Sequence, residues 1–570
     1  MEVGVSKKDI TCFKKGVGMF GYGMYFHKVK GIETRQFVRA YVFKAQNGNK
    51  VAYVCAEILS CTISVKKGVI KKLQRSHPNL NYDYDNVLIA GTHTHSGPGG
   101  YTHYGLYNMS VPGFVPEVYT TIVDGIVESI IEADNAAKPA RLYFDKGDFP
   151  KEQEIAFNRS INAYNRNADT KEYEEKERHL AVDRTMKLLR IDDLDGNPIG
   201  CINWFGVHTT SVGNDLMKIC ADNKGYAADF MEEDLGSKHF IAAFAQAPCG
   251  DISPNFVWDA RRNRMRGKHV DDYESAKFNG KLQFEKAKEI FEKSTSKELK
   301  VNEIDFAHLN VDFSNIAVNP EFANGHTGKR TGSGCLGVSF FEGTTDGMGI
   351  SKALGFMARR IISGIRTYET IKTNFASPEE RIRIVEKYEA QGKKHVLIET
   401  GNRRLMGIKD LEKLPMPGWV DKTTQIFKEQ YKNGSLADKP WVPDVLPLQI
   451  IILGNLAIAA MPCEPSTVSG WRLRKTILDV LKERGVEDVI ISPYANGYCG
   501  YVTTNEEYQE QCYEGGHTMH GEWSLGGYQT KFKELAFELL KPKNDRVFDS
   551  KSTDEFTEDE LKKRTFNEFA

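Results

Sequence analysis

The strongest constraint on what this chain can fold into is one short stretch, Asn86–Tyr101, which reads Asn-Val-Leu-Ile-Ala-Gly-Thr-His-Thr-His-Ser-Gly-Pro-Gly-Gly-Tyr. The apolar run Val87–Ala90 predicts a short buried strand. Side chains alternate between the faces of an extended segment, so His93 and His95 are expected to point to the same side. The glycine-rich turn after them lets the backbone approach a ligand closely. Two imidazoles at a strand end favour a metal site or a proton shuttle, and the alternative is a polar strand end with two solvated histidines.

The composition bears on two classes of partner. The chain has 570 residues and a net charge of −1, with 76 Lys and Arg against 77 Asp and Glu. Because acids and bases nearly balance, the overall charge does not indicate binding to nucleic acid or to an anionic membrane surface. The length allows one large domain or two to three smaller ones.

No apolar run is long enough for a membrane helix, which needs roughly 18 residues. The nearest, Leu446–Met461, is interrupted by Pro447, Gln449 and Gly454-Asn455 and predicts two buried strands around a turn. The N-terminus has no signal-peptide core, so a cytoplasmic location is expected, or a secreted or surface-associated one if a leader has been removed. The ten cysteines form no CxxC pair and are predicted to be mostly free and buried.

Strands and helices are predicted along the whole chain without a regular strand–helix–strand rhythm. The predicted strands are 37–43, 51–59, 87–90, 140–144, 186–191, 200–205, 448–453, 456–460 and 488–492. The predicted helices are 64–76, 115–136, 280–293, 378–391 and 468–484. This order favours an α/β fold in which a mixed β-sheet sandwich core is flanked by helices, with the active site at strand ends. Residues 1–540 are predicted as the catalytic domain and 541–570 as a charged, loosely packed C-terminal tail.

Polar residues follow apolar runs at further positions, as they do at His93. His208 ends the run Asn-Trp-Phe-Gly-Val-His, Asp251 and Ser253 follow a strand-like run, and Glu464 follows 456–461. Each has a structural alternative: a hydrogen-bonded core histidine, an Asp/Ser turn before a proline, and an acid at a helix N-terminus. Ser253 does not lie in a Gly-x-Ser-x-Gly elbow, so that motif does not mark it as a nucleophile.

These strand ends could meet at one rim of the fold. Two histidines and one carboxylate with an open position form a catalytic zinc set. Such a set lowers the pKa of water and polarises a carbonyl, which suits amide or ester hydrolysis. The residues alone therefore predict a metallohydrolase and leave its substrate open.

At these positions the sequence resembles the neutral/alkaline (non-lysosomal) ceramidase family, zinc amidases that cleave ceramide to sphingosine and a fatty acid. The run from Gly91 to Tyr101 matches the family's most specific signature. Other segments match in order across residues 10–530: Asn158–Ser160, Asn203–His208, Asp222–Tyr226, Gly250–Asn255, Gly343–Gly347, Trp441–Gln449, Tyr501–Thr504 and Tyr513–Gly515. So many ordered matches make a chance resemblance negligible.

The resemblance implies a set of zinc ligands and an acid–base residue. By motif position, His93, His208, Glu464 and Tyr501 would bind Zn²⁺, and the phenol oxygen is an unusual fourth ligand. His95 would be the second imidazole at the site and would shuttle a proton to the leaving amine.

The resemblance also implies residues that act on the substrate. Tyr513 and Arg159 match positions near the scissile amide and would stabilise the oxyanion. Ser253 matches the serine often assigned as nucleophile in the family. The alternative is that zinc-activated water attacks while Ser253 holds a substrate hydroxyl, and we favour this because the sequence shows no base beside Ser253.

The implied function is zinc-dependent hydrolysis of the N-acyl bond of ceramide. The expected partner is a lipid substrate, ceramide or a related N-acyl sphingoid, with transient contact to a membrane surface and no nucleic acid. Two alternatives are a zinc hydrolase of another N-acyl lipid or small amide or ester, and a lipid-binding protein with a dead site. The complete set of predicted ligands argues against a dead site.

The chain departs from the family pattern at several positions. Cys463 and Pro465 stand where the family commonly has Gly and Phe, and His517 stands where a small residue is usual. Because these positions flank the predicted site, we expect them to affect acyl-chain or head-group preference. The immunoglobulin-like domain that usually follows the catalytic domain is expected to be missing from this chain.

Overall fold

The computed structural model describes residues 1–236, 239–413 and 422–565, and two β-sheets form its centre. The strands of the eight-stranded sheet, β1 to β8 in chain order, are Glu2–Asp9, Phe37–Lys44, Lys50–Ala56, Val87–Gly91, Lys138–Asp148, Thr185–Asp193, Pro198–Phe205 and Ile241–Gln246. Those of the four-stranded sheet, β9 to β12, are Ile304–Asp312, Val445–Leu453, Leu456–Ala460 and Asp488–Ser492.

Both sheets are mixed, and their parallel pairs lie at edges. The larger sheet has the order β8-β7-β6-β5-β1-β2-β3-β4, with β7/β8 and β3/β4 parallel and the inner pairs antiparallel. The smaller sheet has the order β9-β10-β11-β12, with β11/β12 parallel. Parallel neighbours end at the same edge of a sheet, so loops that follow them can meet.

The two sheets pack face to face, and helices cover their outer faces. In β11, Leu456, Ile458 and Ala460 pack in the core between the sheets, whereas Ala457 and Ala459 face the helices on the other side. This alternation is expected for a strand that is buried on both faces. The predicted sandwich flanked by helices is therefore confirmed, as are the two strands predicted within 446–461.

Helices make up the outer layers of the fold. Those against the larger sheet are Ile63–Ser76, Pro116–Asn135, Asp222–Asp234 and Asp272–Lys293, and those against the smaller sheet are Thr467–Leu481 and Ser524–Leu539. The others are Ile161–Tyr164, Val338–Phe341, Lys352–Lys372, Pro378–Gln391, Lys422–Lys432, Asn505–Tyr508, Tyr513–His517 and Glu558–Arg564. Within the described ranges, no helix is both long and apolar enough to cross a membrane.

The sequence misplaces one helix start and misses four of the longer helices. The helix predicted at 280–293 begins at Asp272, because the Asp271 side chain accepts hydrogen bonds from the backbone of Tyr273 and Glu274 and caps it. The predicted set lacks Asp222–Asp234, Lys352–Lys372, Lys422–Lys432 and Ser524–Leu539. All ten cysteines lie in the described part and are free, and nine are buried.

The C-terminal segment is mainly exposed but is anchored at several points. Arg546 pairs with Asp305 of β9. Glu555 pairs with Lys67, Oε1 to Nζ at 2.7 Å. Arg564 is buried and donates to the backbone oxygen of His103 at 2.8 Å. The predicted loose packing is therefore wrong at these anchors.

Candidate active site

The polar residues at the strand ends converge, and the parallel strand pairs explain why. β4 leads into His93, β7 into His208 and β11 into Glu464, and each of these strands belongs to a parallel pair. A parallel bridge between Thr94 and Thr209 holds the two histidine loops side by side. Glu464 is the direct partner of Tyr501 in a short parallel pair. The site thus lies at strand ends, as predicted, where the two sheets meet.

The backbone at His93 differs from the predicted strand. β4 ends at Gly91, and His93 adopts a left-handed conformation with φ of 73°, which non-glycine residues rarely adopt. The Nε2 atoms of His93 and His95 are 3.1 Å apart, so the prediction that both imidazoles share a side is confirmed. The two imidazoles share a side because of this left-handed turn, not because side chains alternate along a strand. Such backbone conformations are concentrated at functional sites.

The buried imidazoles of His93 and His208 face each other as hydrogen-bond acceptors. Their Nε2 atoms are 3.3 Å apart. His93 Nδ1 lies 3.0 Å from the Leu59 oxygen, and His208 Nδ1 lies 2.8 Å from the Cys249 oxygen. Carbonyl oxygens only accept, so both Nδ1 atoms carry a proton, and each ring in its neutral form presents a lone pair at Nε2. Two such atoms in contact repel each other unless a cation lies between them, and this arrangement fits a metal ion.

Glu464 adds a carboxylate to the two imidazoles. Its Oε2 lies 3.2 Å from His93 Nε2 and 3.4 Å from His208 Nε2. Tyr498 donates to its Oε1, and Tyr494 donates to its Oε2 at 3.4 Å. We call the two Nε2 atoms and Oε2 the ligand cluster.

Tyr501 lies at the edge of the ligand cluster. Its hydroxyl is 3.3 Å from His208 Nε2 and accepts a hydrogen bond from Arg159 Nη2 at 3.1 Å. Burial and the nearby Glu464 carboxylate raise the pKa of this phenol well above its usual value. The structure therefore brings together all four residues that the resemblance implies as zinc ligands.

His95 belongs to the same group but is held differently. His93, His95 and His208 are all buried, and one ring nitrogen from each lies within 4.8 Å of the other two. Among the described residues, His95 Nδ1 has no hydrogen-bond partner, and its ring packs against Tyr22 at 4.8 Å. A Cβ on Gly21 would lie 2.5 Å from this ring, so only glycine leaves it room. Burial lowers the pKa of His95 well below its usual value, so the ring is neutral.

A buried arginine connects Tyr501 to Ser253. Arg159 donates from Nε to Glu514 at 2.8 Å and from Nη1 to Asp346 Oδ2 at 3.4 Å. Asp346 Oδ1 accepts the Ser253 hydroxyl at 2.7 Å. A continuous set of polar contacts thus runs from the phenol to the serine.

Sequence reasoning gave no role to Asp346 or Glu514, the two carboxylates that pair with Arg159. Both lie in segments that match the family, 343–347 and 513–515, and this was the available signal. The charge pairing itself could not be read from the sequence, because the three residues are far apart along the chain. The premise that Ser253 has no neighbouring base is wrong, since the Asp346 carboxylate is hydrogen-bonded to it.

Asp251 has a structural rather than a chemical position. It accepts hydrogen bonds from the backbone and hydroxyl of Thr467 at 2.8 and 2.9 Å, and from Asn158 at 2.8 Å. Thr467 begins helix Thr467–Leu481, so the carboxylate ties two loops to a helix N-terminus. Burial raises its pKa to about 6. The structural alternative for this residue is the better interpretation.

Tyr513 and His517 line the other side of Tyr501. Tyr513 is partly exposed, and its ring centre is 5.4 Å from that of Tyr501. His517 is buried, lies 4.2 Å from the Phe340 ring, and has no hydrogen-bond partner on either ring nitrogen among the described residues. A Cβ on Gly500 would lie 2.6 Å from His517, so this glycine makes room for the imidazole.

A ligand cluster beside an ion-paired arginine and a serine, at the strand ends of an α/β sandwich, is the site of a hydrolase. The profile of the family described as neutral/alkaline non-lysosomal ceramidase, N-terminal, matches residues 1–410 and 423–530. The chain belongs to this family.

Individual relatives agree with the family assignment. The chain is 35% identical to neutral ceramidase A of Dictyostelium discoideum over 95% of this chain and 72% of the relative. It is 33% identical to the neutral ceramidase of Pseudomonas aeruginosa over 94% of this chain and 72% of the relative.

Solved structures share the fold. The crystal structure of the P. aeruginosa neutral ceramidase matches with a TM-score of 0.76 and 31% identity, over 97% of this chain and 76% of that one. A ceramidase complexed with C2 matches with a TM-score of 0.79 and 31% identity, over 97% of this chain and 77% of that one. The predicted family, fold class and enzyme class, an amidohydrolase, are confirmed.

Proposed function

We propose that this chain is a zinc-dependent amidase that hydrolyses the N-acyl bond of ceramide to give sphingosine and a free fatty acid. Relatives named neutral ceramidases support the substrate. One observation in the chain itself carries the chemistry: the unprotonated Nε2 atoms of His93 and His208 and the Glu464 carboxylate all lie within 3.4 Å of one another. Such a buried set of acceptors requires a cation.

His93, His208, Glu464 and Tyr501 are the residues that would hold Zn²⁺. Imidazole and carboxylate are its usual ligands in catalytic sites. A bound zinc ion polarises a carbonyl oxygen and lowers the pKa of water. The carbonyl contacts to the imidazoles and the two phenols on Glu464 orient these donors before the metal arrives.

His95 is proposed as the proton carrier rather than a ligand. Histidines that bind metals almost always donate their second ring nitrogen to an oxygen, as His93 and His208 do and His95 does not. A neutral imidazole can accept a proton from the attacking water and deliver it to the leaving amine nitrogen. Its Nε2 position beside His93 supports both transfers.

Arg159 and Tyr513 have different proposed roles, and only Tyr513 would act on the oxyanion. The guanidinium donates to Glu514, Asp346, Tyr501 and the Gly250 oxygen, so its donors are already used within the protein. We assign it the role of holding Tyr501 and Asp346 in place. The partly exposed Tyr513 is then the donor for the oxyanion.

Ser253 is proposed to hold the substrate rather than to attack it. Its hydroxyl donates to Asp346, and its oxygen accepts the backbone N–H of Asn255 at 2.9 Å. The Asp346 oxygens are shared with Arg159 and Asn255, so this carboxylate orients the hydroxyl. The attacking oxygen in this proposal comes from water.

The direct test combines metal analysis with a substrate panel. Purified protein is expected to contain zinc and to cleave fluorescent ceramide, to lose activity with chelator, and to regain it with added zinc. Protein without bound zinc but with full activity would contradict the metal proposal. Cleavage of N-acyl amino acids with ceramide left intact would contradict the substrate and leave the chemistry in place.

His517 favours a second candidate, a zinc hydrolase of another N-acyl lipid or small amide or ester. Its buried, unpartnered imidazole beside Tyr501 offers a polar contact to a head group. His517→Ala is expected to change the ratio of kcat/KM values between ceramide and N-acyl amino acids. An unchanged ratio would remove the support for this candidate.

A further inference from the structure

The helix Lys352–Lys372 and the segment after it expose an unusual amount of apolar surface. More than half of the exposed large hydrophobic side chains in the described part of the chain lie between residues 348 and 385. We define the 354–385 surface by these residues: Leu354, Phe356, Met357, Ile361, Tyr368, Ile371, Phe375, Ile382 and Val385. Phe375 is 88% exposed. Apolar patches of this kind mark interaction sites on soluble proteins.

Ion pairs and one buried isoleucine, Ile362, attach this helix to the body. Its buried positions are Gly355, Ile362 and Glu369. Arg359 Nη1 pairs with Glu342 at 2.7 Å, and Glu369 pairs with Arg383 at 3.0 Å. An ordinary surface helix turns its apolar stripe to the core and its charges to water. Packing within the chain therefore does not account for the 354–385 surface.

The exposed face combines apolar residues with positive charge. Leu354, Met357, Ile361 and Tyr368 share one side of the helix by their spacing. The helix contains Lys352, Arg359, Arg360, Arg366 and Lys372, and its acidic residue, Glu369, is buried in ion pairs. The helix Pro378–Gln391, which carries Ile382 and Val385, has four glutamates against three basic residues, so the excess of positive charge belongs to Lys352–Lys372. The whole chain has a net charge of only −1, so this positive charge is local. Apolar residues interleaved with Lys and Arg are typical of helices that lie in the surface of an anionic bilayer.

The surface begins at the edge of the site. Asp346, which binds Ser253, lies in the turn between the short strands Gly343–Thr344 and Gly347–Met348, just before the helix. A Cβ on Gly347 would lie 3.2 Å from the Tyr22 ring, which itself packs on His95. A molecule held at the start of the helix would therefore lie near the site.

We propose that the 354–385 surface docks the enzyme on an anionic lipid bilayer, so that the lipid substrate enters the site from the membrane plane. The lipid nature of the substrate rests on the proposed function. The apolar side chains enter the boundary between head groups and acyl chains, and Arg360 and Lys372 contact anionic head groups. The helix lies on the membrane and does not cross it.

The test is flotation of the full chain with phosphatidylcholine vesicles, with and without phosphatidylserine. The triple variant Leu354→Ser, Met357→Ser, Ile361→Ser is expected to lower the bound fraction at least about tenfold on vesicles with phosphatidylserine. A matched control replaces exposed apolar residues elsewhere, Leu194→Ser, Val270→Ser and Val547→Ser, and is expected to bind like wild type. Arg360→Glu with Lys372→Glu is expected to remove the part of binding that depends on phosphatidylserine.

Other outcomes separate this inference from the proposed function. Equal vesicle binding by wild type and the triple variant would overturn the inference. A wild-type dimer that the triple variant dissociates, with no vesicle binding, would show that a second copy covers the surface and would also overturn it. All variants are expected to cleave a soluble short-chain ceramide at the wild-type rate. Loss of vesicle binding in the triple variant, with no ceramide cleavage by any protein, would support the surface and contradict the function.

Discussion

The two sides of the ligand cluster are held by different kinds of contact. On the side of the larger sheet, backbone carbonyls fix the Nδ1 atoms of His93 and His208. On the side of the smaller sheet, the side-chain hydroxyls of Tyr494 and Tyr498 hold Glu464. Backbone contacts persist through most substitutions nearby, whereas a phenol can be removed by a single change. The orientation of the two histidines therefore depends on the backbone, whereas the orientation of Glu464 depends on side chains that single substitutions can change.

The largest expected effect is the loss of a ligand from either side. His93→Ala and Glu464→Gln should both lose bound zinc and reduce ceramide hydrolysis to the level of the chelated enzyme, because each removes a donor that nothing nearby replaces. Metal mass spectrometry and a ceramide assay measure this. His326→Ala, which changes an exposed histidine, serves as the control. Retained zinc in either variant would show that its side of the cluster is not needed.

The next effect separates the third imidazole from the other two. His95→Ala should keep zinc and lose about 10²–10⁴ in kcat, the usual contribution of a general acid–base group. Zinc content and kcat are measured on the same preparation. Loss of zinc would instead make His95 a third histidine ligand.

A smaller effect tests the support on the carboxylate side. Tyr498→Phe should weaken zinc binding by about 10–100-fold, because it removes the hydroxyl that orients Glu464. Tyr528→Phe is the matched control, since its hydroxyl contacts Cys463 Sγ at 2.7 Å rather than the carboxylate. Competition with a zinc-binding dye gives both affinities. Equal affinities for the two variants would contradict a role of the phenol in tuning the metal.

The smallest effect concerns stability on either side of the fold. Burial lowers the pKa of His103, beside helix Pro116–Asn135, and of His308, in β9, each to about 3. A histidine whose folded pKa lies below its unfolded value of about 6.5 stabilises the fold above that value and destabilises it as pH falls towards the folded pKa. The free energy of unfolding of wild type should fall between pH 7 and pH 5. In His103→Phe and in His308→Phe this fall should be smaller by about 1–2 kcal/mol. Chemical denaturation at the two pH values measures this change. The same pH dependence of the unfolding free energy in variant and wild type would contradict the prediction.

The sequence predicts the strand ends well because their signal is local. An apolar run followed by a polar residue identifies the exits at His93, His208 and Glu464, and each signal lies within a few residues. The turn residues Gly454 and Asn455 likewise predict the hairpin of β10 and β11.

The pairing of Arg159 with Asp346 and Glu514 has no local signal. Burial of these three charges is tolerated because distant segments bring the arginine beside the two carboxylates. In the sequence alone they are three isolated charged residues. The left-handed turn at His93 is hidden for a similar reason, since neighbouring hydrogen bonds impose it against the preference of the residue.

The pairing of Glu464 with Tyr501 also bears on how the enzyme is made. A ribosome releases His93 and His208 long before it releases this pair, and contacts so distant in sequence form late in folding. The proposed metal ligands are therefore all in place only after both sheets are assembled. A chain stopped before Glu464 would display the two histidines without their carboxylate partner, so quality control in the cell would meet only part of the ligand set.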